Sequence, residues 1–362
     1  MKAMVLAAGV GSRLEPLTSS VPKPLVPIAN TPVMEHIVKL LAKHGIKDII
    51  ANLHYLPEQI TEYFKDEHDL GINIRFIQED ELTGDAGGVR ACKDFLGDET
   101  FIVLMGDLVT DADLTKIVKE HKAKKAIATI ALKKVPDVQH FGVAVQDGDG
   151  YITGFQEKPA PKDALSDMAS AGIYVLEPEV FKHIPEDGVY GFGRQLFPSL
   201  IEKGLPVYGS TIETYWSDVG THEQYKQSNF DVLNGLVKTA QPLDQKAKRI
   251  EKDGSVIWIE PGAELSESVE IRSGSRILIG AGSDVSAGAK LAGVVVLGSR
   301  CHVEKGACIE NAVIWSDCIV KADEVVKDCI LGKDCVAEVC SKPREVAAVA
   351  GGSPRATRTL AK

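Results

Sequence analysis

Apolar and polar positions follow two different rhythms along this chain. Up to about residue 235, short apolar runs alternate with amphipathic stretches. The runs at 3–6, 48–53, 72–77, 100–104 and 127–132 have the length of buried strands. The stretches at 32–44, 57–65, 87–95 and 112–122 carry apolar residues at helical spacing. Thr31-Pro32 reads as a helix start and His44-Gly45 as its end. Asp111 reads as the N-cap of the helix that follows it, and Thr221 as the cap of a helix beginning near His222. The alternation predicts an α/β class: a mainly parallel sheet with helices on both faces and ligands at the carboxyl ends of its strands.

From about residue 255 the rhythm becomes a hexad. Ile259, Leu265, Ile271 and Ile277 stand six apart, and Ile279, Val285 and Leu291 resume after a two-residue shift. Val303 and Ile309 follow, then Val313, Ile319 and Val325, then Ile330 and Val336. One inward aliphatic per six residues predicts a left-handed parallel β-helix with about 18 residues per coil and four to five coils. The expected division is an α/β domain at 1–237, a polar linker at 238–254, a β-helix at 255–342 and a disordered tail at 343–362.

Composition narrows the function classes. The 362 residues are 44% apolar and 25% charged, which suits a large globular core. A net charge of −10 argues against nucleic acid as a partner. No run of about 18 apolar residues is present, and the N-terminus enters a strand without a signal-peptide pattern, so no membrane association and a cytoplasmic location are expected. The seven cysteines lack zinc spacing, and six of them fall in the hexad region. They read as small apolar residues in a reducing compartment.

Candidate chemistry begins directly after the first strand. Leu6-Ala7-Ala8-Gly9-Val10-Gly11-Ser12-Arg13 is a loop of small residues, and Lys23 follows ten residues later among Pro16, Pro22 and Pro24. Small residues let backbone N–H groups approach a phosphate, and two cations on a stiffened loop can hold a polyphosphate. A Walker loop is excluded by the missing Gly-Lys-Ser/Thr, and a dinucleotide loop by Leu14 where a third glycine would stand. Asp107, preceded by Gly106 at a second strand end, is placed to hold Mg²⁺ at a phosphate. Alternation along 154–158 sets Phe155 and Glu157 on one side and Gln156 and Lys158 on the other, with Pro159 ending the strand.

These residues resemble a known signature. Gly-x-Gly-x-Arg-Leu-x-Pro-Leu-Thr at 9–18 and Pro-Lys-Pro-Leu at 22–25 match the sugar-1-phosphate nucleotidyltransferases, closest to their mannose-1-phosphate guanylyltransferase-like members. The resemblance runs to about residue 235 and implies a Rossmann-like, GT-A-like domain. It implies transfer of a nucleotidyl group from an NTP to a sugar 1-phosphate with release of pyrophosphate. GTP and mannose 1-phosphate are favoured, and glucose 1-phosphate with dTTP or UTP is the alternative. It assigns Arg13 and Lys23 to catalysis, and Leu6, Ala8, Gly9, Gly11, Glu79 and Gly84 to the nucleotide. Glu79 would accept hydrogen bonds from guanine, since a carboxylate offers only acceptors. Gly142, Glu157, Lys158 and Ser170 fall to the sugar phosphate. Asp218, in Trp216-Ser217-Asp218-Val219-Gly220-Thr221, would share Mg²⁺ with Asp107. Two positions depart from the pattern: Asp85 stands where threonine is usual and Ser170 where asparagine is usual. In this arrangement the β-helix joins subunits into a homo-oligomer. Two other readings remain: a silent regulatory subunit that binds the nucleotide sugar, and a second, acyltransferase activity using His302.

Overall fold

The computed structural model describes residues 1–65 and 71–337. Cys340 and the expected tail at 343–362 lie outside the described residues. The chain divides into two compact units: residues 1–10 with 34–218, and residues 11–33 with those from 219 onward.

In the first unit, four parallel strands lie side by side in the order Phe101–Met105, Ala3–Leu6, Asp48–Leu53 and Asn73–Gln78. The chain leaves Ala3–Leu6 toward one side and later returns to place Phe101–Met105 on the other. The crevice between those two strands is therefore a topological switch point, where ligands of open α/β sheets bind. The parallel expectation holds only for this quartet. Met168–Leu176 pairs antiparallel with Phe101–Met105 and with Ala128–Lys134, and Gly142–Gln146 pairs antiparallel with Ile152–Glu157. Together with Val207–Thr211 they complete a mixed nine-stranded sheet. The core is aliphatic and aromatic, with Phe101, Phe192 and Phe197 fully enclosed.

Local signals explain some of the helix limits. The first helix is Val33–Lys43, and Gly45 ends it with a φ of 76°. The stretch expected as one helix at 87–95 is two, Asp85–Ala91 and Lys93–Leu96. Asp111 is not an N-cap. The helix starts later, at Leu114, and Asp113 caps it by accepting from Lys116 N at 2.9 Å. Asp111 instead accepts from Tyr215 N at 2.8 Å.

The second unit contains the helix His222–Leu233, capped by Thr221 as expected, and a stack of short strands. Lys248–Lys252, within the expected linker, pairs antiparallel with Ser255–Ile259. Beyond it every described pairing is parallel, and the partner lies one rung further on. Rung length shrinks along the stack. Leu265 pairs with Val285, twenty residues on; Val285 with Val303, eighteen on; Val320 with Ala337, seventeen on.

That shortening corrects the hexad phase. Up to Ile309 the expected aliphatics from Ile277 onward are buried in the core. After it, Ile314, Val320, Val326, Leu331 and Ala337 point inward, each one residue later than expected. Val325 and Val336 are 64% and 46% exposed. The slip occurs at Asn311, which turns the chain with a φ of 49° and whose side chain accepts from Val294 N. Cys301, Cys318, Cys329 and Cys335 join the aliphatic core.

Candidate active site

The switch point is built by backbone bonds between strand ends. Gly106 N donates to Leu6 O at 2.9 Å, locking the two strands just before their loops diverge. Ala7 N donates to Asn52 Oδ1 at 3.0 Å. Past this, the space beside the Gly9 α-carbon is open, with no atom within 4 Å of a would-be Cβ. The loop after Leu6 thus leaves open space beside Gly9.

Asn52 passes the connection on. Its Nδ2 donates to Glu79 Oε1 at 2.5 Å, and Glu79 Oε2 accepts from Thr83 N at 3.2 Å and Thr83 Oγ1 at 2.7 Å. Glu79 is 7% exposed. Its two oxygens therefore face protein donors, and its visible work is to brace the loop at 79–84. Gly84 closes that loop with a φ of 83°, and a Cβ there would lie 2.5 Å from Tyr190 O. Asn52 is a site-shaping residue that sequence reasoning missed. Its signal was a lone amide inside the apolar run 48–53.

Asp107 and Asp218 come together through a short antiparallel ladder. Leu108–Thr110 pairs with Trp216–Asp218 in the register Asp218 to Leu108, so Asp218 faces the residue that follows Asp107. Trp216 anchors the ladder, donating Nε1 to Ala171 O at 2.8 Å and packing edge-on against Phe141, with centroids 5.3 Å apart. Both aspartates are half-buried. Among the described residues no group of three or more His, Cys, Asp or Glu side chains is arranged to hold a metal. A carboxylate pair does suit Mg²⁺, which takes one or two carboxylates and completes its octahedron with phosphate oxygens and water. On that chemistry the pair fits the ion.

A third group surrounds Glu157. Phe155 and Glu157 share one face, as alternation requires. The two side chains fill the Cβ direction of Gly142, and a Cβ on Gly193 would lie 2.1 Å from Glu157 Oε2. The two glycines therefore make the slot that holds this carboxylate. Lys158 sits at a φ of 50°, tied by its N–H to Phe141 O at 3.0 Å, and its Nζ is 3.8 Å from Glu157 Oε1. Burial raises the Glu157 carboxyl above its ordinary value; Lys158 opposes this, Asp85 adds to it and Arg194 opposes it. Arg194, on the turn Phe192–Leu196 and next in sequence to Gly193, is thus a second cation whose charge reaches Glu157, and the sequence reading did not single it out.

Asp85 turns inward. Its Oδ1 accepts from Phe192 N at 2.6 Å and Ala86 N at 2.8 Å. Burial raises its carboxyl, with those N–H groups and the Lys158 charge opposing. The aspartate that replaces threonine thus ties its helix to the turn carrying Arg194. Tyr174, fully buried, has its hydroxyl pKa raised by burial first and then by Asp85, with smaller contributions from Glu157 and Asp107. Ser170 Oγ lies 3.2 Å from that hydroxyl in a hydrogen bond. Ser170 thus meets this phenol directly, and the charges of Asp85, Glu157 and Asp107 reach it.

The Arg13–Lys23 segment belongs to the second unit. It forms three short 3-10 turns, Ser12–Leu14, Leu17–Ser19 and Lys23–Leu25, rather than an extended loop. Leu14 and Leu17 are fully buried and leave Arg13 exposed between them and Gly11. Gly11 has a φ of 75°, and a Cβ there would sit 3.0 Å from Lys23 Cβ and 3.2 Å from Thr18 Cγ2. Thr18 Oγ1 donates to Gly11 O at 2.9 Å. Gly11, Thr18 and Lys23 thus pack as one knot, with Lys23 8% exposed.

Residues 2–235 match the nucleotidyl transferase family. The chain is 38% identical over 328 residues to a UTP–glucose-1-phosphate uridylyltransferase of Synechocystis sp., covering 87% of this chain and 83% of that protein. It is 31% identical over 310 residues to a mannose-1-phosphate guanylyltransferase of Mycobacterium tuberculosis, covering 85% and 83%. A crystal structure of a putative glucose-1-phosphate thymidylyltransferase from Bacillus anthracis, in complex with a sucrose, aligns with a TM-score of 0.57 and 28% identity over 63% of this chain and 94% of that one. Among the described residues no helix is long and apolar enough to cross a membrane.

Proposed function

The chain belongs to the nucleotidyl transferase family, and on that premise we propose that it joins GTP and mannose 1-phosphate into GDP-mannose with release of pyrophosphate. The observation that carries the transferase reading is the ladder pairing Asp218 with Leu108 beside Asp107, at the sheet's switch point. An oxygen of the sugar phosphate attacks the α-phosphorus in line, and positioning with charge neutralisation does most of the work. Arg13 takes the leaving pyrophosphate and Lys23 the phosphate charge that builds in the transition state. Lys158 and Arg194 hold the sugar phosphate, and Glu157, fixed in its glycine slot, accepts from a sugar hydroxyl. Gly142 and Ser170 border that subsite. Leu6, Ala8, Gly9, Gly11 and Gly84 line the nucleotide. Asp107 and Asp218 would hold Mg²⁺, which supplies positive charge to the triphosphate when bound.

A second base reading has its own support. Glu79 is engaged by Asn52 and Thr83, which leaves it less acceptor capacity for guanine's donors, and the Synechocystis relative is named for UTP and glucose 1-phosphate. Pyrophosphate release from each NTP paired with glucose 1-phosphate and mannose 1-phosphate decides between them. Fastest turnover with GTP and mannose 1-phosphate is expected, and faster turnover with UTP and glucose 1-phosphate would replace the first reading. The same proposal assigns catalysis to 1–237 and winds 255–337 as a left-handed β-helix that assembles subunits. The six-residue spacing of Ile279, Val285 and Leu291 supports the winding.

A further inference from the structure

We propose that Lys246 and Trp315, both beyond the family-matching segment, are positioning residues for the Lys23 loop. The inference rests on the functional reading above for the role of Lys23, and on contacts within one compact unit for the rest.

Pro22-Lys23-Pro24-Leu25-Val26 runs straight into a tight hairpin, Pro27–Ile28 paired with Thr31–Pro32. Its two-residue turn is Ala29-Asn30, with φ values of 48° and 61°. Two left-handed residues make a type I′ turn, which favours Asn or Gly at both places. Alanine gains nothing there and pays the Cβ penalty of the left-handed region. Such a conformation persists when its surroundings over-determine it.

The surroundings do so. Ala29 N donates to Asn229 Oδ1 at 2.8 Å, and Ala29 O accepts from Lys246 Nζ at 2.7 Å. Lys246 Nζ also donates to Thr31 Oγ1 at 2.8 Å and lies 3.3 Å from Glu260 Oε1. Asn30 Nδ2 donates to Leu297 O at 2.8 Å. Pro27 O accepts from the Tyr225 hydroxyl at 2.8 Å, and that hydroxyl accepts from Trp315 Nε1 at 2.7 Å. Tyr225 is wholly buried and Trp315 is 4% exposed. Both backbone groups of Ala29 and the carbonyl of Pro27 are therefore held by side chains. Lys246, Glu260, Leu297 and Trp315 come from the strand stack or the segment leading into it, and Asn229 and Tyr225 from the helix His222–Leu233.

What the clamp fixes is the direction in which the chain leaves Lys23. The hairpin closes back on this loop, with Val33 N donating to Val26 O and Val26 N to Lys23 O. Lys23 itself is pressed on Gly11. Loosening the hairpin would move the ammonium without touching a substrate-binding side chain. A displacement of about 1 Å in a catalytic group can cost a hundredfold in rate.

The test uses the full chain with Lys246→Met and Trp315→Phe, which remove the donors and keep most of the volume, and Lys321→Ala on an exposed ion pair of the same stack as control. Turnover is read with the best NTP and sugar 1-phosphate, and amide exchange is read across 22–33. The expected result is a fall in kcat of roughly ten- to a hundredfold, a KM for sugar phosphate within about twofold of wild type, and faster exchange at 22–33 in both variants but not in the control. Should Lys246→Met fail to fold, Trp315→Phe carries the test. Unchanged kcat in a folded Trp315→Phe, or unchanged protection at 22–33, overturns the proposal. If the wild-type chain releases no pyrophosphate from any pair, the functional reading fails, and exchange at 22–33 alone decides whether the clamp exists.

Discussion

Asp85 carries a negative charge into a largely enclosed place, and its neighbour Glu157 does the same. Each carboxyl is raised on folding, chiefly by burial. A raised carboxyl binds its proton more tightly in the native chain than in the unfolded one, so its contribution to stability falls as pH climbs from the ordinary carboxylate value through the raised one. Asp85→Asn keeps an acceptor for Phe192 N and removes the charge. Urea midpoints of variant and wild type should therefore differ least in acid and shift in the variant's favour toward neutral pH; a pH-independent difference would contradict the burial argument. For Arg13→Ala or Lys23→Ala we expect a loss of about 2–4 kcal/mol of transition-state stabilisation, read from kcat/KM, if each supplies one preorganised charge contact. Some of this scale was legible in the chain. Gly-x-Gly with Arg13 and Lys23 is a local pattern, and so is Gly106-Asp107. The inward turn of Asp85, the bracing of Glu79 by Asn52 and the approach of Arg194 to Glu157 join residues far apart in sequence, and no spacing announces them.

Glycines set the geometry of two elements. Gly84 holds a left-handed turn against the Tyr190 carbonyl, and neither can give way cheaply. Gly84→Ala should cost roughly 2–4 kcal/mol of stability by denaturant unfolding, from strain plus overpacking. Gly193 is different, because its Cβ would meet the far end of a side chain, Glu157. Gly193→Ala should leave the unfolding midpoint near wild type while raising the KM for sugar 1-phosphate; a lowered midpoint with unchanged KM would separate Glu157 from the sugar. Periodicity located five strands of the first unit, Ala3–Leu6, Asp48–Leu53, Asn73–Gln78, Phe101–Met105 and Ala128–Lys134, within a residue or two at each end, since burial gives strands a clear apolar run. It missed the antiparallel half of the sheet, because direction depends on how a connection crosses, which side-chain pattern does not encode. It also merged Asp85–Ala91 with Lys93–Leu96, whose break at Cys92 leaves the amphipathic pattern almost intact.

At the scale of the molecule, the boundary between units does not follow the boundary between rhythms. Residues 11–33 cluster with the strand stack, although their pattern gives no hint of it, because the polar contacts there, with Leu297, Tyr225, Asn229 and Lys246, follow no repeat. The hexad itself was readable because each rung repeats the same burial. Its phase was lost where Asn311 removed one residue from the repeat.

That uneven repeat fixes which pieces of the stack are interchangeable. Around Asn311, Val313 pairs with Ile330 and Ile314 with Leu331, so an excision there stays in frame only when seventeen residues leave together. Cutting out 310–326 brings Leu331 to the address vacated by Ile314. Cutting out 309–326 puts every later aliphatic one place out of register. The first shortened chain should melt as a single cooperative body and the second should expose apolar surface to a hydrophobic dye; equal behaviour would mean the rungs tolerate slippage. Modules traded between relatives would face the same arithmetic, each insertion being acceptable only at the storey whose length it shares.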